Sequence, residues 1–358
     1  MRLFFICLNM QKHIMNININ IQEVIYMRND YKDREILAKS EVSIDQIIKQ
    51  ADVIASKRRD YRVKNPSRRC YFTKEGLLQF ESDEGHFGSV EMSDWAMGQF
   101  CSKIGVPGNY IQKLITDGYY DLAQNNVNTY LKEQYGGGFK LREYDGKLDA
   151  VVSPRYSPFD SDRILDIITS TIDIEHYKLK GSYISDERLH LRLIGRDTIP
   201  INGEDLFPGI FIDSSDVGRN ILIVSFGIYK QVCTNGLIIS KAGGILFKQK
   251  HIGISEEEFI LGLSNGLSGV DELVSSAENW INNARIKEMS LEDISTKLKA
   301  ISLADEEEKI LELMDTHYDR TRWGLINGIT EIAQNYTLDR RVELETVAGT
   351  LLVPSKAA

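Results

Sequence analysis

Asp145-Gly146 stands between two six-residue stretches, Phe139 to Tyr144 and Lys147 to Val152, that both carry strand-forming residues. A two-residue Asp-Gly link is the preferred chemistry for a tight hairpin, because both central positions need positive φ. Such a link can join only antiparallel neighbours, since parallel strands need a long crossover. The centre of the chain is thereby committed to an antiparallel sheet. Further strands are expected at 176–184, 187–195, 209–213 and 220–229, joined by short turns, with one or two more between Gly236 and Phe247 around Ala242-Gly243-Gly244.

Helical spacing dominates on both sides of this centre. Before it, Ile44, Ile47, Ile48, Ala51 and Ile54 share one face of a helix over 43–56, with Ser43 as its cap. Ser93 to Ile104 repeats the pattern with Trp95, Ala96, Phe100 and Ile104 inward, and Tyr110 to Leu131 supplies more helix. Ser161 to Ile172 is a helix within the sheet region. After it, helices are expected at 255–284, 290–302, 304–318, 322–335 and 338–350, with Ser290 and Asp293 as a capping pair. The fold class expected is α+β: a central, mostly antiparallel sheet with a helical N-terminal region and a helical C-terminal third. The divisions expected are 31–135, 136–254 and 255–358, with 139–352 able to form one compact unit. Residues 1–30, with their Asn-Ile repeats and extra methionines, read as disordered or as a start placed too early.

Length and composition narrow the function only coarsely. A 358-residue chain with 42% hydrophobic and 27% charged residues can build two or three cores. Its formal charge of −9 excludes a protein that coats nucleic acid with its whole surface, while a local basic groove remains compatible with it. Cysteines at 7, 70, 101 and 233 form no close pair, which points to a reducing cytoplasm rather than a disulfide framework. The first apolar run, Leu3 to Leu8, is too short to span a bilayer. The six histidines include no pair at ligand spacing, and no Walker loop or dinucleotide fingerprint is present, so no metal and no cofactor are expected.

The cations are where function is sought. Residues 57–69 hold seven basic side chains, among them Arg58, Arg59 and Arg62, beside Tyr61, Tyr71 and Phe72. They read either as a nucleic-acid contact or as a solvated linker after a helix; five phosphate contacts to a single strand would give a log–log salt slope of about −3.5. Arg155 and Tyr156 sit on a loop stiffened by Pro154 and Pro158. Arg219 follows the turn Ser214 to Gly218, which either cradles an anion or simply reverses the chain. Lys230 ends an apolar strand ahead of Cys233, a residue that reads as a buried structural cysteine. Arg320, Arg322 and Trp323 open a helix, where a cation beside an indole either meets a base or pins the helix terminus.

Several segments together resemble one family. They are Ser93 to Ala96 with Ile104 to Pro107 and Tyr110; Val152 to Tyr156; Ser215 to Arg219; Val232 to Leu237; and Trp323 to Glu331. The resemblance is to the phage- and plasmid-borne family known as domain of unknown function 932, over roughly residues 50–352. The recurring positions are Arg155, Tyr156, Ser215, Gly218, Arg219, Cys233, Thr234, Asn235, Gly236, Trp323 and Glu331, which mark either a shared surface or a shared core. The resemblance implies a cytoplasmic protein of a mobile element and carries over no catalytic residue.

The expectation drawn from this is a non-catalytic nucleic-acid-binding accessory protein of a phage, plasmid or other mobile element, with single-stranded DNA binding or annealing favoured. Arg155, Arg219, Lys230, Arg320 and Arg322 would follow the backbone while Tyr156 and Trp323 stack on bases. Homo-oligomers are compatible with this role, and no membrane is involved. Two alternatives remain at this point. One is a metal-dependent nuclease built on Asp160, Asp216 and Glu331. The other is an interaction protein that blocks a host defence factor.

Overall fold

The computed structural model describes residues 42–133, 136–157, 159–201, 204–230, 235–239, 244–251, 253, 255–336 and 338–353. The expectations for residues 1–30, Pro158, Cys233, Thr234 and Ala242-Gly243 lie outside the described residues. The N-terminal part runs α1 (Ile44–Lys57), β1 (Arg58–Val63), α2 (Pro66–Arg69), β2 (Cys70–Phe72), β3 (Leu77–Glu81), β4 (Phe87–Met92), α3 (Asp94–Ile104), α4 (Gly108–Thr116) and α5 (Tyr120–Glu133). Ser43 caps α1 in a reciprocal capping box with Gln46. The hairpin follows as β5 (Phe139–Tyr144) and β6 (Lys147–Val152), with Asp145 at φ 50° and Gly146 at φ 82°, as its link requires.

The N-terminal region thus holds the expected helices and, in addition, four strands. The basic run at 57–69 is not a linker: most of it is β1, paired antiparallel with β5 from Arg58↔Tyr144 to Val63↔Phe139. These strands form a six-stranded sheet in the order β1-β5-β6-β4-β3-β2, antiparallel except for the parallel β4–β6 contact. One face is sealed by α3, α4 and α5 through Phe100, Ile104, Ile111, Val127, Phe139 and Leu141.

The chain continues with α6 (Ser161–Thr171), β7 (Tyr177–Leu179), β8 (Tyr183–Ile184), β9 (Leu189–Gly195), β10 (Ile199–Ile201), β11 (Glu204–Ser214), β12 (Leu222–Lys230), β13 (Asn235–Ile239) and β14 (Ile245–Gln249). They make an eight-stranded antiparallel sheet along the path β13-β12-β11-β9-β7, with β10 beside β11, β14 beside β12 and β8 beside β9. Alternation sorts the two faces. Leu189, Leu191 and Leu193 join α1, α6 and Phe259 in one core, while His190 and Arg192 point to the opposite face.

The C-terminal helices are α7 (Glu256–Leu267), α8 (Val270–Ile286), α9 (Leu291–Ala300), α10 (Glu307–Thr316), α11 (Arg322–Ala333) and α12 (Leu338–Leu352). The expected helix 255–284 is broken at Ser268-Gly269, and the expected 110–131 at Asp117-Gly118, where Gly118 takes φ 82°. Ser290 caps α9 by accepting from the Asp293 N–H, as its spacing predicts. The central element is α11: every residue from Trp323 to Thr330 is buried. Leu325, Ile326 and Ile329 meet Ile281, Ile310 and Leu344 there, each worth about 1.5–3 kcal/mol of apolar burial. Gly324 is required, because a Cβ would strike the Asp319 carbonyl oxygen.

Candidate functional site

The two sheets meet at a largely buried, charge-balanced cluster, with Asp60 at its exposed edge. On β1 and β5 the residues that alternate with the core positions are Arg58 and Asp60, and Lys140 and Arg142. They face Asp160, at the N-terminus of α6, and Asp216, in the turn between β11 and β12. Arg58 Nη1 lies 2.7 Å from Asp216 Oδ2 and 3.6 Å from Asp160 Oδ2, and Arg58 Nη2 donates to the Asp186 carbonyl at 2.8 Å. Arg142 donates through Nε to Asp60 at 2.8 Å, through Nη1 to Asp160 at 2.7 Å and to the Asp216 carbonyl at 2.6 Å. Lys140 Nζ reaches Asp60 at 3.4 Å and the Tyr156 carbonyl at 3.0 Å, and Ser161 Oγ donates to Asp216 at 2.8 Å. Three cations therefore meet three carboxylates. Burial alone would raise the Asp160 pKa, but the Arg142 hydrogen bonds and the nearby Arg142 and Arg58 charges outweigh it and lower it.

Tyr156 stands over this cluster. It is 7% exposed, its hydroxyl is 3.3 Å from the Ser215 carbonyl and 3.2 Å from that of Asp216, and the Arg142 guanidinium lies 5.3 Å from its ring centroid. Its other neighbour is His251, stacked with centroids 5.4 Å apart at 14°.

Beside the cluster a cavity of about 580 Å³ opens between α3, the β6 end and the β11–β12 turn. Its charged lining is Lys103, Arg219 and Lys250; no carboxylate lines it, although the chain carries 52 acids against 43 bases. Arg219 is anchored, with its guanidinium 4.5 Å from the Trp95 ring centroid and 3.0 Å from Glu187 Oε1. Trp95 Nε1 and Gln99 Nε2 both donate to the Val217 carbonyl at 2.9 Å, which fixes the turn, and Gly218 completes it at φ 74°. His251 also lines the cavity. It is 5% exposed, its Nε2 is 3.3 Å from Ser214 Oγ, and its Nδ1 has no hydrogen-bond partner. Burial lowers the pKa of His251, against the pull of Asp216 and Asp160, and burial likewise lowers that of Lys103.

A second cavity of about 380 Å³ lies on the other side of Arg219, Asn220 and Ile221, under α12. His190 faces it, but both ring nitrogens are committed, Nδ1 to Asp213 at 3.1 Å and Nε2 to Arg192 Nε at 3.1 Å. Since Arg192 can only donate, Nε2 must accept, which leaves the ring without a free base lone pair.

The sequence-derived positions fall into different environments. Arg219 lines the first cavity, and exposed Arg155 lies on the loop between its lining residues Ser153 and Tyr156. Arg59 and Arg62 are exposed on β1, whereas Arg58 is spent on Asp216 and Asp160. Lys230, Arg320, Arg322 and Trp323 line neither cavity. Lys230 Nζ sits 5.7 Å from the Tyr318 ring centroid, Arg320 holds Asp315 at 2.6 and 2.7 Å, and the Arg322 N–H donates to the Lys287 carbonyl. Tyr156 and Trp323 are both buried, so neither ring is displayed as a stacking surface for bases; Trp323 instead packs in the α11 core with Arg285 5.8 Å from its centroid. The three acids of the nuclease alternative do not share a pocket: Asp160 and Asp216 are held by arginines, and Glu331 accepts from Tyr318 on another core.

The sequence gives no sign that Lys103, Lys250 and His251 share a site; His251 draws notice there only, with His190, as a candidate base for Cys233. Lys103 looks like a routine last-turn cation of its helix, and nothing local ties it to residue 250. Only the packing of α3 against the turn brings them to one cavity.

No curated protein and no solved structure matches the chain. Among the described residues no helix is long and apolar enough to cross a membrane. The model of the family described as domain of unknown function 932 matches residues 149–350, from within β6 to within α12. The Ser93–Tyr110 segment lies outside that match. Since the match covers more than half of the 358 residues, the chain belongs to the domain of unknown function 932 family.

Proposed function

We propose that the protein is a non-catalytic nucleic-acid-binding accessory protein of a phage, plasmid or other mobile element, acting on single-stranded DNA. The observation that carries this reading is the cavity whose charged lining is Lys103, Arg219 and Lys250 without a carboxylate, in a chain of net charge −9. Arg219 is paired with Glu187, but Lys103 and Lys250 gain no such stabilisation from a fold with excess acid, and an anionic ligand gives their placement a use. Arg155 on the adjoining loop extends the positive surface outward. The interface is thus smaller than the sequence suggests: Arg58 and Trp323 lie outside it, and Tyr156 contributes to the wall of the cavity rather than an exposed stacking face.

Binding of labelled single- and double-stranded DNA between about 50 and 200 mM salt tests the reading. Lys103, Lys250 and Arg155 meeting a single strand give a log–log slope of about −2.1, and a Lys103→Ala/Lys250→Ala variant lowers its magnitude by about 1.4. A slope unchanged in that variant, or no binding at the lowest salt, refutes it.

A further inference from the structure

The same cavity carries more chemical information than a generic affinity for phosphate. Arg219 is already paired with Glu187 at 3.0 Å, so it contributes no surplus charge. Lys103 and Lys250 remain, and neither has an ion-pair partner among the described residues. The uncompensated charge of the lining is therefore +2. An internal phosphodiester carries one negative charge, whereas a phosphomonoester carries about −1.5 to −2 near neutral pH and presents three acceptor oxygens. The charge fits the monoester.

Two further observations point the same way. His251 is 95% buried, lines the cavity and leaves Nδ1 without a partner. Buried polar nitrogens are normally satisfied, and one left unsatisfied on a residue that lines a cavity calls for a bonding partner. If Nε2 accepts from Ser214 Oγ, Nδ1 carries the proton and is a donor suited to a phosphate oxygen. The volume of about 580 Å³ lies in the range for small-molecule sites, roughly 300–1,000 Å³, and Val152 and Ile221 give it an apolar wall. That suits one nucleotide unit entering end-on rather than a strand passing through.

We propose that this cavity is an end-recognition site, binding the terminal phosphomonoester of a nucleic-acid strand together with its nucleotide, with Lys103, Lys250 and His251 as the phosphate-contacting residues. The proposal rests on the nucleic-acid reading above and names the part of the strand that is held. A free nucleoside monophosphate offers the same chemistry, so the experiment separates the two sources.

The experiment measures binding of the full chain to one labelled 12-nucleotide single-stranded DNA prepared with a 5′-phosphate, with a 3′-phosphate, or with hydroxyls at both ends, and to adenosine monophosphate alone. One phosphorylated strand is expected to bind at least tenfold more tightly than the hydroxyl strand, and adenosine monophosphate more weakly than that strand. His251→Phe keeps the ring stack on Tyr156 and removes the nitrogens; Lys103→Met lies on the α3 surface of the cavity and guards against a folding defect in the first variant. Each is expected to bring the phosphate preference below threefold; Lys103→Met also weakens binding of the hydroxyl strand, because Lys103 meets its backbone phosphates, and a preference that stays near tenfold in both variants overturns the assignment of these residues. Equal binding of all three strands overturns end recognition and leaves the nucleic-acid reading standing. Binding of adenosine monophosphate with no strand bound overturns both as stated and makes the cavity a free-nucleotide site. Failure to bind any of the four overturns both.

Discussion

Removing Arg58 or Asp216 singly should damage the protein far more than removing both. In the native cluster Arg58, Lys140 and Arg142 balance Asp60, Asp160 and Asp216. Arg58→Met leaves two cations against three carboxylates, and Asp216→Leu leaves three against two. The Arg58 and Asp216 side chains are 6% and 1% exposed, so water cannot screen the orphaned partner. Breaking a pair in such surroundings costs about 3–5 kcal/mol, against 0–1 kcal/mol for an exposed pair. At about 2 °C per kcal/mol for a chain of this size, each single variant should lower Tm by about 6–10 °C. The double variant restores two against two and replaces the pair by apolar side chains, so it should recover to within about 2 kcal/mol of the parent. Urea unfolding followed by circular dichroism, with a thermal scan alongside, provides the double-mutant cycle. Single variants within 1 kcal/mol of the parent, or a double variant whose loss is the sum of the two, would refute the balanced-cluster argument.

Three other outcomes follow from the structure. His190 and His251 both have pKa values lowered by burial, so below about pH 6.5 the unfolded chain takes up protons that these rings refuse; Tm should fall between pH 7 and pH 5, and a flat profile would contradict their burial. The lowered pKa of Asp160 adds a second loss that begins only below about pH 4. Gly324→Ala drives a Cβ into the Asp319 carbonyl oxygen and should cost about 1–3 kcal/mol in urea unfolding, whereas Gly98→Ala, with open space at its Cβ, should be close to neutral or stabilising because it lies within a helix. A fragment of residues 149–353 lacks the partners of Asp160 and Asp216 and should not unfold cooperatively; a sharp transition for that fragment would show that the family-matched region folds without the N-terminal sheet.

What could be read from sequence was what depends on local chemistry. The Asp145-Gly146 link specified its hairpin, and Ser43 and Ser290 marked helix starts because capping acts within three residues. The strands β1 to β4 were missed for a physical reason. β1 alternates cations with Tyr61 and Val63 rather than with ordinary polar residues, and its Arg58 and Asp60 find their partners more than 80 residues away. The Trp323–Glu331 segment illustrates the opposite error. Its dense recurrence of Gly, Ile and aromatic residues suggests a functional surface, yet Gly324 and Gly328 are there to let α11 approach Asp319 and Ile310. Family resemblance in that segment reflects packing, while Arg219 and Gly218 of the same resemblance do reach the cavity.

The site itself was illegible because it depends on a difference between charges, and sequence shows only their sum. Most conspicuous cations turn out to be neutralised where the fold puts them: Arg58 and Arg142 by Asp216 and Asp160, Arg320 by Asp315, Arg219 by Glu187. The unbalanced positive charge at the junction comes from Lys103 and Lys250, which no motif connects. A buried cluster that closes its own account of charge gives an incoming anion little to gain, because every donor already has an acceptor. The adjoining cavity has the opposite property: two unpaired ammonium groups and a buried imidazole nitrogen without a partner. The balanced cluster fixes the turn at 215–219 and so holds the unbalanced cavity in shape. A ligand binding there would supply the acceptors and the negative charge that the lining lacks.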